Sequence, residues 1–359
     1  MANTLSIDGF LSKAMDIPVI DVRSPKEFHR GHIPGAFNIP LFDNEERAIV
    51  GTTYKQVGRE PALKIGYGIA GVKSDDIVKR ISEIAPGREV LVYCWRGGMR
   101  SAGVASLLDK NGFNVSVLQK GYKAYRNFLM ERFSKPAKII LLGGMTGSGK
   151  TEILQELGKH GEQVIDLEEL ARHKGSAFGA LGQQPQPTTE QFQNDIFTKW
   201  LMMDLQKPIW LEDESMTIGT VNLPIPLYRQ MREAHVINIE IERKIRVGRL
   251  VLEYARFDKE TLKYIFYRIG ERLGSQNVQR AVAAIDKEDF YTAAEISLVY
   301  YDVAYLHGID KRKKESVTGL KLNSGNPAEN SVKVLERAHE VYSSLYLSPE
   351  VKVLSGVST

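Results

Sequence analysis

The chain has 359 residues, a length that favours two domains over one core, and its 43% hydrophobic and 26% charged residues are ordinary for a globular protein. The formal net charge of +4 gives only a weak preference for anionic partners. The single cysteine excludes an internal disulfide and a cysteine-rich metal site, and a free thiol suits a reducing compartment.

The N-terminal residues lack the basic start and long apolar core of a signal peptide. No apolar run in the sequence approaches the roughly 20 residues needed to cross a bilayer. We therefore expect a cytoplasmic protein with no membrane partner.

In the first part of the chain, strands alternate with helices. Residues 17–24, 89–94 and 114–121 are predicted strands, and residues 100–113 form a predicted amphipathic helix that ends at a glycine turn. This alternation is typical of a parallel sheet with helices on its faces. The pattern predicts an α/β domain.

After a linker at residues 134–136 the strand pattern starts again. This predicts a boundary between a domain of residues 1–134 and a second of residues 135–359. The predicted strands of the second domain are residues 138–144, 162–170, 207–215 and 233–241. From about Lys259 the chain is expected to be mostly helical. The polar segment 175–192 contains Gly and Pro and is interpreted as a functional loop.

A thiol loop follows the strand 89–94, at the edge where α/β sheets place ligands. It consists of Cys94, Trp95, Arg96, Gly97, Gly98, Met99 and Arg100. The glycines allow a tight turn of inward-pointing amides, and the amides, the next helix N-terminus and the two arginines all favour the thiolate of Cys94. Two alternatives are a small buried cysteine and a cysteine phosphatase, which also has five residues between Cys and Arg.

The segment "DVRSPKEFHRGHIPGAFNIP" (21–40) resembles the rhodanese family, and the resemblance covers about residues 10–130. Rhodanese-like domains carry sulfur or selenium on the active cysteine. The loop is one residue longer here than in the commonest rhodanese loop, which leaves room for a phosphorus-bearing substrate. Asp21, Arg23, His32 and Gly35 belong to this signature and are interpreted as scaffold, although a catalytic His32 is an alternative.

A phosphate loop lies between the strand 138–144 and a predicted helix. It consists of Gly144, Met145, Thr146, Gly147, Ser148, Gly149, Lys150 and Thr151, which match the P-loop pattern. Its amides and Lys150 would bind a diphosphate, and Thr151 would hold magnesium with Asp213 or Glu212. The alternative for both acids is a solvated strand end. No base-recognition motif accompanies the loop, so its diphosphate need not belong to a nucleotide.

The whole chain resembles the tRNA 2-selenouridine synthases. The resemblance is carried by "FDNEERAIVGTTYKQVG" (42–58), "YCWRGGMRS" (93–101), "GGMTGSGKT" (143–151), "KGSAFGALG" (174–182) and "WLEDES" (210–215). It implies that geranyl diphosphate first alkylates the sulfur of a wobble 2-thiouridine in tRNA and that selenophosphate then replaces this sulfur with selenium. It implies these two donors as substrates and no tightly bound cofactor, with magnesium as the ion that Thr151 and Asp213 would hold. Cys94 is predicted to be catalytic in the selenium step because it is the only thiol, and Arg96 and Arg100 are predicted to position the anionic selenium donor in its loop.

The tRNA is expected to contact basic residues outside the two loops. The candidates are Arg243, Lys244, Arg246, Arg249 and the run at 311–314. Such contacts supply affinity rather than sequence specificity, and a solvated helix face explains them equally well. The rival functions are a rhodanese-type sulfurtransferase coupled to a P-loop ATPase or kinase, a cysteine phosphatase, and a non-catalytic tRNA-binding module.

Overall fold

The computed structural model describes residues 3–341 and residue 343. The chain up to Phe133 forms one compact unit, and the chain from Ser134 onward forms a second. The sequence places this division between residues 134 and 135. None of the helices in the described part of the chain is both long and apolar enough to span a bilayer.

The first unit is a five-stranded parallel sheet with helices around it. Its elements are β1 (Asn3–Leu5), α1 (Ile7–Lys13), β2 (Val19–Asp21), α2 (Pro25–Arg30), β3 (Phe37–Asn38), α3 (Asn44–Gln56), α4 (Arg59–Ile84), β4 (Glu89–Tyr93), α5 (Met99–Lys110), β5 (Asn114–Leu118) and α6 (Gly121–Phe133). The strand order is β1-β5-β4-β2-β3, and every neighbouring pair is parallel. The predicted α/β class is confirmed for this unit.

The central strand β4 positions the thiol loop. Val90 to Tyr93 are fully buried, because apolar layers cover both faces of the strand. Val90 and Val92 face the core that α4 and α5 supply through residues such as Ile81 and Val104. Cys94 therefore begins its loop at the carboxyl end of a rigid strand.

The helical pair α3 and α4 was not predicted as secondary structure. Asp43 and Glu46 form a capping box that begins α3. In α4, Ala62, Gly66 and Ile77 are buried among residues that are mostly polar or exposed. The apolar signal of this 26-residue helix is therefore weak, and the sequence pattern did not reveal it.

The second unit contains another five-stranded parallel sheet. Its elements are β6 (Ile139–Gly144), α7 (Lys150–Lys159), β7 (Gln163–Val164), α8 (Leu167–Ala171), α9 (Thr189–Trp200), β8 (Ile209–Glu212), β9 (Thr217–Ile218), β10 (Val221–Asn222), α10 (Ile225–Glu233), β11 (His235–Ile241), α11 (Arg243–Tyr254), α12 (Lys259–Arg268), α13 (Gly270–Leu273), α14 (Ser275–Asp286), α15 (Phe290–Ile309), a 3-10 turn (Lys314–Ser316), β12 (Val317–Leu322) and α16 (Pro327–Val341). The sheet order is β12-β11-β6-β8-β7, and β9 and β10 form an antiparallel hairpin.

Two predicted elements of this unit need correction. The predicted strand 162–170 is a strand only at Gln163–Val164, because the Asp166 side chain accepts a hydrogen bond from Glu169 N and starts helix α8. The C-terminal region is helical from α12 to α15, but β12 then returns to pair with β11. The helical region is therefore an insertion before the last strand of the sheet.

Candidate functional site in each unit

The thiol of Cys94 is buried against the first turn of α5. Its side chain is only 3% exposed, and its Sγ lies 3.2 Å from Ser101 Oγ. Ser101 is fully buried, and its hydroxyl donates a hydrogen bond to Gly98 O at 3.0 Å. The same hydroxyl is in reach to donate to a sulfur anion after rotation. Sequence reasoning missed Ser101, although it directly follows Arg100.

Backbone contacts hold the thiol loop in place. Gly97 has φ of +61°, and a Cβ there would lie 2.6 Å from the carbonyl oxygen of Leu118. Gly121 has φ of +59°, and a Cβ there would lie 2.2 Å from the carbonyl oxygen of Cys94. The Tyr122 amide donates to that same Cys94 oxygen at 2.9 Å. Only glycine fits at these two close backbone approaches, so the thiol loop is held in place by the turn between β5 and α6.

The two arginines of the loop have different surroundings. The Arg100 guanidinium makes a two-pronged contact with Glu27, at 2.7 Å and 3.2 Å. Burial raises the pKa of Glu27, but the hydrogen bond and charge of Arg100 outweigh burial and the pKa is lowered. Arg96 is exposed, as is Met99, whereas Trp95 is half-buried against the Tyr122 ring. We predicted a donor-binding role for both arginines; in this structure Arg100 is occupied by Glu27, which leaves Arg96 as the exposed cation of the loop.

The upstream signature makes structural contacts. Arg23 is fully buried, pairs with Asp21 at 2.6 Å and stacks over the Tyr122 ring with its carbon 4.0 Å from the centroid. His32 stacks on Phe28 with ring centroids 3.7 Å apart. Gly35 turns the chain with φ of +83°. These contacts support the interpretation of the signature as scaffold.

The phosphate loop connects β6 to α7, as its pattern predicts. It runs through Gly144, Met145, Thr146, Gly147, Ser148, Gly149, Lys150 and Thr151. Lys150 Nζ donates to Gly144 O at 3.0 Å and so lies folded back across the loop. Its helix begins at Lys150, which places a positive helix end at the site where a phosphate would lie.

The acid that contacts Thr151 is Glu168, whereas Asp213 lines the same cleft as Glu168 without a contact to Thr151 and Glu212 is buried. The Thr151 hydroxyl donates to Glu168 Oε2 at 2.9 Å. Asp213 is in a buried ion pair with Arg312, and this pair satisfies its charge. Glu212 is fully buried and accepts from Leu167 N at 2.9 Å, at the start of α8. More distant parts of the chain thus engage both carboxylates, and the role of Glu212 or Asp213 as the metal-holding acid stays a prediction.

The neighbouring oxygens of Thr151 and Glu168 fit a magnesium ion. Hydroxyl and carboxylate oxygens suit this ion, which keeps several waters and uses few protein ligands. Burial raises the pKa of Glu168, and burial together with the charge of Glu168 raises the pKa of Glu214 to about 8. Burial thus outweighs the charge of Lys150, which by itself would lower the pKa of both carboxylates. Within residues 3–341 and 343, no group of three or more His, Cys, Asp or Glu is arranged to hold a metal unaided.

The basic residues predicted to bind tRNA divide into two sets. Arg246 is buried, pairs with both oxygens of Asp302 at 2.7 Å and 2.9 Å, and donates to Thr146 O at 3.2 Å. Arg249 pairs with Glu152 at the start of α7. These two residues brace the phosphate loop, so the prediction of Arg246 as a surface contact is wrong. Arg243 and Lys244 are exposed.

The run at 311–314 is divided in the same way. Arg312 is buried, where it pairs with Asp213 and donates to Met231 O at 3.0 Å. Lys311, Lys313 and Lys314 are exposed. Burial and pairing therefore take Arg312 out of the candidate tRNA contacts, while the three lysines of the run stay candidates.

A cleft and a cavity meet at the phosphate loop. The cleft has a volume of about 880 Å³ and is lined by the loop, by Glu168 and by Glu214. Beside it lies an apolar cavity of about 40 Å³. The residues that line both are Thr146, Ser176, Leu250, Tyr254 and Tyr301. The cavity therefore opens next to the site where a phosphate would bind.

The predicted functional loop forms part of these walls. The chain has no helix or strand from Arg172 to Thr188, and α9 takes up the last residues of the predicted loop. Ser176 lies at the mouth of the cavity and Phe178 in its wall. The Phe178 ring packs against Phe266 with centroids 5.4 Å apart.

Each of the two units matches a different family model. Residues 9–128 match the model of the rhodanese-like domain, and residues 137–288 match that of the tRNA 2-selenouridine synthase AAA domain. A tRNA 2-selenouridine synthase of Bdellovibrio bacteriovorus is 34% identical over 345 residues, which cover 83% of this chain and 90% of the relative. The chain belongs to the tRNA 2-selenouridine synthase family.

Two further relatives have the same name. The protein of Nitrosomonas europaea is 38% identical over 67% of this chain, and the match spans 64% of that relative, just under two thirds of its length. The protein of Shewanella denitrificans is 36% identical over 72% of this chain and 70% of the relative. The predicted family and the order of its two domains are confirmed.

Proposed function

We propose that the protein converts wobble 2-thiouridine in tRNA to 2-selenouridine in two stages. Geranyl diphosphate first alkylates the sulfur, and selenophosphate then supplies the selenium that replaces it. We assign the first stage to the phosphate loop and the second to the thiol loop around Cys94. Family membership supports the overall conversion, and the geometry of the two loops supports this assignment.

The observation that carries the proposal is the meeting of a phosphate cradle with an apolar cavity. An alkyl diphosphate has an anionic end for Lys150 and the loop amides, and an apolar chain for the cavity next to Thr146. A nucleoside would bring a polar sugar and base towards the apolar interior of the cavity, where burial without hydrogen bonds is unfavourable. The phosphate loop therefore fits a prenyl donor better than a nucleotide.

In the alkylation step, the thiocarbonyl sulfur attacks C1 of the geranyl chain. The new S–C bond forms while the C–O bond to diphosphate breaks, so negative charge develops on the diphosphate. Lys150, the loop amides and the N-terminus of α7 are placed to stabilise this charge. A magnesium ion at Thr151 and Glu168 would supply additional positive charge for the leaving group.

In the selenium step, a C–Se bond forms at C2 of the uridine and the C–S bond breaks. The alkylated sulfur leaves as geranyl thiol, which is a better leaving group than a thiocarbonyl sulfur. The phosphoryl group of selenophosphate passes to water. We assign Cys94 to this stage because its loop joins a thiol, which Ser101 contacts, to the exposed charge of Arg96.

The two stages are tested as separate half-reactions with nucleoside mass spectrometry. Lys150→Ala is expected to abolish geranylation, but the variant protein is expected still to selenate tRNA that was geranylated beforehand. Cys94→Ser is expected to give geranylated thiouridine and no selenouridine. Lys159→Ala is the matched control, since this exposed lysine lies on the same helix and pairs with Glu156.

Three outcomes contradict the proposal. Normal geranylation by Lys150→Ala removes the phosphate loop from the first stage. Full selenation by Cys94→Ser removes the thiol from the second. A strict requirement for ATP hydrolysis favours a sulfurtransferase coupled to a P-loop ATPase.

A further inference from the structure

We infer that the apolar cavity of the second unit holds the far isoprene unit of the donor and thereby selects donors by chain length. The inference rests on the proposed use of an alkyl diphosphate. It names a specificity pocket whose walls lie outside both sequence motifs and on the helical insertion before β12.

The cavity walls are almost wholly apolar. Its interior is built from three helices and one loop, through Phe178, Leu262, Phe266, Ile285, Phe290 and Ala293. Most of these residues belong to one hydrophobic cluster and are buried. No charged side chain lines the cavity, and its polar lining is limited to the hydroxyls of Thr146, Ser176, Tyr254, Ser297 and Tyr301. Its chemistry fits a hydrocarbon.

The position of the mouth fixes which end of the donor enters. Thr146 belongs to the phosphate loop and also lines the cavity. With the diphosphate on the loop, the chain starts at this mouth and its far end points inward. Tyr254 and Tyr301 line both the cleft and the cavity, so a donor with one isoprene unit is expected to end near them and a second isoprene unit to enter the cavity.

The small volume makes the walls selective. The free space of about 40 Å³ is roughly three times the minimum that one water needs, so it takes a short branched end and not a long chain. A third isoprene unit would need the aromatic walls to move, and a well-packed interior resists this. The expected preference is therefore ten carbons over five and over fifteen.

The size of the preference follows from the buried carbon count. Each CH₂ that leaves water for an apolar site strengthens binding by roughly fourfold. Burial of only two or three of the five carbons in the second isoprene unit thus strengthens binding at least about tenfold. We expect geranyl diphosphate to bind at least about tenfold more tightly than dimethylallyl diphosphate.

The experiment fills the cavity and measures binding by calorimetry with the full chain and no tRNA. The probes are inorganic diphosphate and the dimethylallyl, geranyl and farnesyl diphosphates. Ala293→Leu places three extra carbons in the cavity. It is expected to remove the advantage of the geranyl over the dimethylallyl donor while leaving the affinity for inorganic diphosphate unchanged.

A control and a second variant make the result decisive. Ala284→Leu adds the same atoms to the same hydrophobic cluster without lining the cavity, and it is expected to keep the preference. Phe290→Ala enlarges the cavity at a half-buried position and is expected to improve farnesyl diphosphate relative to geranyl diphosphate. This variant keeps the inference testable if Ala293→Leu does not fold.

The inference and the proposed function fail in different ways. Equal affinity for the dimethylallyl and geranyl donors, or an unchanged preference in both Ala293→Leu and Phe290→Ala, overturns the pocket but leaves the diphosphate site in place. Binding of ATP with no binding of any prenyl diphosphate overturns the proposed function as well.

Discussion

Replacing Arg246 by methionine tests whether this buried arginine braces the phosphate loop and does not contact tRNA. The change deletes the hydrogen bonds to Asp302 at 2.7 Å and 2.9 Å and the bond to the Thr146 carbonyl at 3.2 Å. Methionine keeps much of the length and apolar character of the side chain. The main loss is therefore the charge and the donors that brace the phosphate loop.

The expected cost comes from the carboxylate left behind. Removing one partner of a buried ion pair costs about 3–5 kcal/mol. The Asp302 side chain is 17% exposed, so water recovers part of its solvation and the lower end applies. A loss of about 3 kcal/mol lowers the Tm by roughly 6–12 °C in a domain of this size. The Arg246→Met/Asp302→Leu double variant removes both charges and is expected to regain part of this loss.

The assay compares thermal unfolding with binding of diphosphate and of tRNA. Arg246→Met is expected to unfold at a lower temperature and to bind diphosphate more weakly. Lys244→Ala, on an exposed position of the same helix, is the matched control and is expected to keep its Tm. An Arg246→Met protein with the parent Tm but weaker tRNA binding would refute this reasoning and restore the surface interpretation.

Three further variants test the surroundings of the two loops. Ser101→Ala removes the hydroxyl that contacts the thiol sulfur, so selenium incorporation is expected to slow by roughly 3–10-fold while geranylation stays unchanged. Ser101→Thr keeps a hydroxyl and is expected to restore the rate. Equal rates of selenium incorporation in the parent and Ser101→Ala, measured by nucleoside mass spectrometry, would contradict this. Arg100→Lys loses the two-pronged contact with Glu27, so a lower Tm is expected, with a nearly unchanged dependence of the selenation rate on selenophosphate concentration. A raised half-saturating selenophosphate concentration at constant Tm would instead show that Arg100 binds the donor. Glu214 has a pKa raised from 4.5 to about 8, so between these pH values the folded state keeps a proton that the unfolded state releases, and stability falls as pH rises. Glu214→Gln is expected to flatten this fall, measured by urea unfolding without diphosphate or metal. An unchanged slope of the unfolding free energy against pH would contradict the prediction.

The sequence was sufficient where chemistry is encoded in consecutive residues. The strand, loop and helix around Lys150 are predicted correctly because the P-loop pattern specifies its own backbone and its flanking elements. The same holds for Cys94, whose loop follows the apolar run of β4. The α/β class and the family were therefore open to prediction.

The sequence was insufficient where a partner comes from far along the chain. Nothing near Asp213 indicates that Arg312, 99 residues later, pairs with it, and nothing in the phosphate-loop pattern indicates that Glu168 contacts Thr151. For Arg246 a signal existed. It lies on the same helical face as Leu250, four positions later, and a cation on an apolar face is more often a buried structural partner than a surface contact.

The burial of Cys94 has a consequence for how the protein ages chemically. A thiol that is 3% exposed reacts slowly with peroxides, and this chain has no second cysteine to trap a sulfenic acid as a disulfide. Once the sulfur is oxidised, a small external thiol has to reach the same buried position to reduce it. Shielding thus protects the sulfur from damage and slows its repair by the same steric means.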